Sequence, residues 1–306
     1  MFQQRKTRKT RWPVALLLGA LLIASALSAC SPNASSDPLL AGRVDGDPIT
    51  LASYQRILAV YTAIDARQEV LAWQIPEGRK LLAGEQQSAF DFLVNLRLMR
   101  KELTALHIPL PRKSIDDAQK ALQANIDLQR QQLKTNPDPN TAALLEQLTP
   151  DALAIYAEQE AAQKALLDKL QVPTVQVRGI IVASREEAEK YEQQAQQGVD
   201  FADLAKKYSL DKESGARGGD LGTVYVGEFG QVDPTFDNAV FTPGAHPGKY
   251  VITPFQGQYA LLEVTNPAMK PIKAVTDQQL QQAVFAGWLK VVVRPQAKIE
   301  RYVALS

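Results

Sequence analysis

The stretch FADLAKKYSLDKESGARGGDLG, residues 201–222, followed by GQVDPTFDNAVF, residues 230–241, decides the fold. Asp200 is placed to cap a short amphipathic helix from Phe201 to Tyr208. A polar loop follows, then a glycine-rich turn into a strand, Leu221 to Val226. Pro234 to Phe241 is a second short helix, ended by Pro243-Gly244. Upstream, Val175, Val177, Ile180, Ile181 and Val182 read as a buried strand. Ser184-Arg185-Glu186-Glu187 is a capping box opening a helix whose inner face is Ala188, Tyr191 and Ala195, with Gly198 as its stop. Downstream, Tyr250 to Thr253 and Tyr259 to Thr265 are strands joined by Gln256-Gly257-Gln258. The order across residues 173–267 is β-α-α-β-α-β-β.

Residues 41–172 carry helical periodicity instead. Ala41-Gly42-Arg43-Val44-Asp45-Gly46-Asp47-Pro48-Ile49-Thr50 reads as a short strand, a turn and a helix cap, with Thr50 as the N-cap. Tyr54, Ile57, Leu58, Tyr61 and Ile64 follow at helical spacing, and Phe92, Leu96, Met99, Leu103 and Leu106 make one face of a second helix. A third helix is expected from Ser114 up to the break at 134–140. A fourth is capped by Thr149, with Pro150 at its first position, and runs to about Gln171. In the tail, Thr276-Asp277-Gln278-Gln279 is a capping box, and Leu280, Val284, Phe285, Trp288 and Leu289 give an apolar stripe. This helix is expected to pack on the N-terminal helices. Lys298 to Val303 would add a strand beside Arg43-Val44.

The quoted stretch, with its strand order, closely resembles the parvulin-type (PpiC-like) peptidyl-prolyl isomerase domain. The segment from Val44 to Leu51 resembles the opening of the chaperone domain in SurA-like and PrsA-like foldases. The resemblance implies an α+β fold: a mostly helical N-terminal chaperone domain (41–172), completed by the C-terminal helix and strand (268–306), with an inserted parvulin domain (173–267) of a four-stranded antiparallel sheet plus helices.

It also implies a site. Leu221, Val232 and Phe236 would line the apolar pocket for the proline ring. Val232 stands where a methionine is usual. Asp211 matches the polar residue that faces the amide and would be the catalytic group. Two histidines are expected behind it. Arg178-Gly179-Ile180-Ile181-Val182 has Gly179 in the place of the first, and Gln258-Tyr259-Ala260-Leu261-Leu262 has Ala260 in the place of the second. A slip of one residue would put Tyr259 there instead. The chain's two histidines, His107 and His246, lie elsewhere and read as surface or loop residues.

The chemistry tolerates such losses. Rotation about an X-Pro bond meets a barrier of about 18–20 kcal/mol and takes tens to hundreds of seconds unaided. An apolar pocket that takes the amide out of water, with hydrogen-bonding groups placed for the twisted form, lowers that barrier. No cofactor and no metal are needed. The resemblance therefore implies a folding helper with isomerase activity, weakened by the replaced histidines. The alternative is a holdase whose parvulin unit binds peptides without turning them over. In that reading Tyr54, Tyr61, Trp73, Phe90 and Phe92 form an apolar cradle for unfolded chains, although the same residues read more readily as ordinary core.

The N-terminus gives an address. Arg5, Lys6, Arg8, Lys9 and Arg11 precede an apolar run from Val14 to Leu27 and Ser28-Ala29-Cys30. This describes an export signal over residues 1–29. Leu27-Ser28-Ala29-Cys30 also resembles the bacterial lipobox, with Cys30 as the lipidated residue. Cys30 is the chain's single cysteine, which excludes an intrachain disulfide. Residues 30–40 read as a flexible tether. The expectation is an exported protein, lipid-anchored through Cys30 on the extracytoplasmic face of the bacterial cell membrane. Removing residues 1–29 takes five of the 34 basic residues and none of the 33 acidic ones, leaving a net charge of −4. That argues against nucleic acid as a partner. The expected partners are unfolded exported polypeptides and their X-Pro segments.

Overall fold

A computed structural model describes residues 39–67, 76–230, 234–241 and 250–305. Cys30, the export segment, Trp73, Val232 and His246 lie outside the described residues.

The chain opens with two short strands, β1 (Leu40–Val44) and β2 (Asp47–Thr50), turned at Asp45-Gly46. Five helices follow: α1 (Leu51–Arg67), α2 (Pro76–Ala105), α3 (Arg112–Thr135), α4 (Pro139–Gln147) and α5 (Pro150–Lys169). The long strand β3 (Gln171–Val182) leads into α6 (Arg185–Gln196), α7 (Phe201–Tyr208), a single turn α8 (Lys212–Ala216) and β4 (Asp220–Tyr225). Then come α9 (Pro234–Phe241), β5 (Tyr250–Phe255) and β6 (Gln258–Pro271). The tail holds α10 (Gln278–Gly287), a π-helical turn from Trp288 to Val293, and β7 (Ile299–Arg301).

Among the described residues these strands form two antiparallel sheets. One has the order β2-β1-β7, with Val44 opposite Ile299, so the last strand pairs with the first. The other has the order β4-β3-β6-β5. The fold is α+β, as the resemblance implies. One core joins β1, α1, α2 and α5 to the tail: Ile57, Phe90, Leu96, Met99 and Leu166 pack there with Val284, Trp288 and Val291. Tyr54 and Phe90 are 5% and 2% exposed within it. These two are core and line no open cradle; Tyr61 and Phe92 are half-buried against the same cluster.

Several local expectations change. The segment 134–140 is not a plain break. Asp138 caps α4 by accepting the N–H groups of Asn140 and Thr141, with Pro139 at the first helical position, the same device as Thr149-Pro150 before α5. The loop after Tyr208 contains α8. The third helix starts at Arg112 rather than Ser114, behind Pro111. The fourth expected helix ends at Lys169, because β3 already begins at Gln171. In the tail Asp277, not Thr276, caps α10, accepting the N–H of Leu280 at 2.7 Å. The strand expected to end at Thr265 runs on to Pro271, since β3 extends back to pair with it.

Candidate functional site

Strand alternation separates the two faces of the four-stranded sheet. Ile180, Val182 and Leu261 turn towards α6 and α7 and are closed over by Ala188, Tyr191, Phe201 and Leu204. Val175, Val177, Ile181, Ala260 and Leu262 turn the other way, towards α9 and Phe236. Gly179 lies on this second face, opposite Leu262, and Ala260 lies opposite Ile181. The two positions are therefore diagonal neighbours on one face. Tyr259, the alternative position, packs with the closed core on the other side.

Over Gly179 and Ala260 stands a cavity of about 380 Å³. Phe229, Phe236 and Phe255 form its aromatic wall, with ring centres 4.5 Å (Phe229–Phe236), 6.5 Å (Phe229–Phe255) and 6.3 Å (Phe236–Phe255) apart. Leu221, packed beside Gly179, and Asp211 also line it. Five of the six expected site positions, Gly179, Asp211, Leu221, Phe236 and Ala260, thus line one concavity. The sixth, Val232, lies outside the described residues. Phe229 and Phe255 were not expected. Each is an aromatic beside a glycine turn (Gly227 and Gly230; Gly257), which is the only signal the sequence carries for them.

The loop that carries Asp211 is bolted to β3. Leu210 donates its N–H to the Ile181 carbonyl at 2.8 Å, and the buried Ser209 Oγ accepts the Ile181 N–H at 3.1 Å. Asp211 caps α8: its carboxylate accepts the N–H of Glu213 at 3.0 Å and the Ser214 hydroxyl at 2.5 Å. The Ser214 hydroxyl, then the backbone N–H groups, hold its carboxyl below the usual aspartate range, against the opposing effect of burial. It remains an anion at neutral pH with its oxygens already engaged.

The glycine pair at the entry to β4 is a steric necessity. Gly218 and Gly219 have φ of +74° and +79°, and a Cβ on Gly219 would meet the Gly179 carbonyl oxygen at 2.5 Å. At Gly179 itself a Cβ would meet Leu221 Cδ1 at 3.2 Å. Leu221 leans into the room that a larger residue at 179 would need. Of the two histidines, His107 is exposed just past the end of α2 with φ +54°, far from this site in the chain. Among the described residues no group of three or more His, Cys, Asp or Glu side chains is placed to hold a metal.

Residues 159–267 match the family described as the PPIC-type PPIASE domain. The chain is 29% identical over 243 residues to "Foldase protein PrsA" of Caldanaerobacter subterraneus, covering 76% of each chain. It is 24% identical over 241 residues to a "Parvulin-like PPIase" of Rickettsia bellii, covering 75% of this chain and 79% of that one. A solved peptidylprolyl isomerase (PrsA) from Bacillus cereus aligns over 80% of this chain and 84% of its own at 19% identity, with a TM-score of 0.31.

Proposed function

We propose that this chain is a parvulin-type, PrsA-like foldase and that its cavity over Gly179 and Ala260 grips the proline of X-Pro segments in unfolded exported polypeptides. The observation that carries this is the concavity: three phenylalanine rings and Leu221 around a floor of two small residues. Such a space accepts a prolyl ring and removes the neighbouring amide from water. Water stabilises the planar, polar amide more than the twisted one, so desolvation alone favours rotation. Asp211 supplies a polar group to the lining. With glycine and alanine in the two histidine positions, the polar contribution is small and the expected catalysis is weak.

A second reading is supported by Asp211 itself. Its oxygens are committed to capping α8, which favours a holdase whose pocket binds proline without turning it over. A coupled proline-peptide assay separates the two. Isomerase action predicts a rate that rises with protein concentration and falls on Phe236→Ala. A rate equal to background at high concentration, with peptide binding intact, leaves the holdase. Gly179→His with Ala260→His sharpens the result: a gain in rate supports an intact pocket lacking only its polar pair, provided Leu221 yields at position 179.

We further propose that the protein works outside the cytoplasm, tethered to the membrane by lipid on Cys30. The basic block, apolar run and Leu27-Ser28-Ala29-Cys30 support this, and two or more acyl chains would make the anchor stable. Metabolic labelling with a radioactive fatty acid tests it: label on the wild type and none on Cys30→Ala is expected. Label on both proteins removes the proposal.

A further inference from the structure

Phe229 and Phe236 form the aromatic wall of the cavity, yet each is followed or preceded by a residue that faces away from it. Val226, three residues before Phe229, is fully buried in the core that holds α10 and Trp288. Gly227 stands directly against α10. A Cβ on Gly227 would overlap the Ala283 carbonyl, and one on Gly287 would overlap Gly227 Cα. Here backbone meets backbone with no side chain between, and Gly227 takes φ +87° to do so.

Asp237 ties the second segment to the first. It follows Phe236 on α9, is 2% exposed, and accepts the Gly227 N–H at 3.1 Å. Its second oxygen fills the place where a side chain on Gly230 would stand. The loop between Gly227 and Phe229 is stiff: Glu228 donates its N–H to the Tyr225 carbonyl at 3.1 Å, its carboxylate accepts the Tyr225 N–H at 2.9 Å, and Gly230 donates to the Gly227 carbonyl at 3.3 Å. Behind this wall lies a cavity of about 190 Å³, bounded by Gly227, Asp237, Ala283, Gly287 and Lys290. The wall is thus held at one line of contact, with space beside it.

We infer that the Gly227–Gly287 contact, fastened by Asp237, is a positioning device: the seating of α10 sets where Phe229 and Phe236 stand and so how tightly the pocket holds proline. Gly287 and Asp237 are positioning residues, not catalytic ones. A polypeptide that displaced α10 would loosen the wall without touching the pocket. The affinity part of this inference rests on the prolyl reading of the cavity; the structural part does not.

Hydrogen exchange on the full-length protein, with and without a proline-containing peptide, tests it. In Gly287→Ala the added methyl prises α10 from Gly227. The amides of Glu228, Gly230 and residues 238–241 are expected to exchange about tenfold faster, while those of Ile180 and Leu261 stay unchanged, and the peptide binds about tenfold more weakly. Asp237→Ala cuts the same tie from the other side and serves if Gly287→Ala does not fold, as judged by the amides of Ile57 and Leu166. Asp237→Asn keeps an oxygen for the Gly227 N–H, so its amides at Glu228, Gly230 and 238–241 are expected to exchange no faster than in wild type and its peptide affinity to match wild type. Unchanged exchange at Glu228, Gly230 and 238–241 in the folded Gly287→Ala or Asp237→Ala protein overturns the inference. If those amides respond but no peptide binds wild type, the positioning device stands and the prolyl reading of the pocket falls.

Discussion

The two faces of the four-stranded sheet use the same strands to opposite ends. Ile180 and Leu261 point to α6 and α7 and are fully buried in a filled core. Their neighbours Gly179 and Ala260 point the other way and floor a cavity. A shift of one residue in side-chain direction changes dry packing into a binding surface. The buried carboxylates follow the same division. Glu263, 3% exposed, is paired with Arg178, whose guanidinium also lies over the Phe201 ring. Asp237, behind the cavity wall, has a backbone N–H from Gly227 as its partner. One face is finished for stability; the other keeps volume and a buried carboxylate in places that stability alone would fill.

Truncations on each face should break this comparison cleanly. Phe236→Ala removes a buried ring that is also the pocket wall. A loss of about 3–5 kcal/mol in urea unfolding is expected, together with loss of proline-peptide binding in the fraction that remains folded. Leu261→Ala on the closed face is expected to cost about 2–5 kcal/mol while leaving peptide affinity unchanged. If Leu261→Ala weakened binding as much as Phe236→Ala, the two faces would not be separate in function.

The charge behind the wall gives a pH signature. Burial, with the nearby Glu228 carboxylate adding to it, pushes Asp237 up to about 6, against the Gly227 N–H and the Lys290 ammonium, which pull the other way. The folded protein therefore holds this proton more tightly than the unfolded chain. The group favours folding at low pH, and that contribution is lost as pH rises from about 4 through 6. Each unit of pKa is worth about 1.4 kcal/mol, so a loss of about 2–3 kcal/mol is expected across this window. Asp237→Asn should lack the decline and be the more stable protein at pH 7. Urea midpoints from pH 4 to 7.5 measure it; parallel curves for wild type and Asp237→Asn would contradict the assignment. The smallest effect belongs to Asp211. Asp211→Ala removes the cap of α8 and should cost about 0.5–2 kcal/mol, without the collapse in binding seen for Phe236→Ala.

The legible and illegible parts of the sequence divide on physical grounds. The strand Val175–Val182, the caps Ser184, Asp200 and Thr149, and the turn at Gly218-Gly219 announced themselves because each is a local rule: alternation, an N–H acceptor, a positive φ. The floor of the cavity was reached through resemblance, because a glycine and an alanine carry no chemistry of their own. Phe229 and Phe255 escaped notice, since only the closure of β4, α9 and β5 around Phe236 brings them together. The α4 and α8 turns were hidden by proline and charge, which suit a loop as well as a capped helix. Nothing local marks Gly287 as the residue that meets Gly227; a glycine inside a helix pattern declares its purpose only when the opposing backbone is known.

The central claim is that the open face accepts a prolyl ring. Nuclear magnetic resonance titration of the full-length protein with an unfolded peptide containing one X-Pro bond, and with its Pro→Ala counterpart, tests it most directly. The account predicts shifts at Gly179, Leu221, Phe236 and Ala260, none at Ile180 or Leu261, and markedly weaker binding of the alanine peptide. Equal affinity for the two peptides, or shifts confined to the closed face, would contradict it.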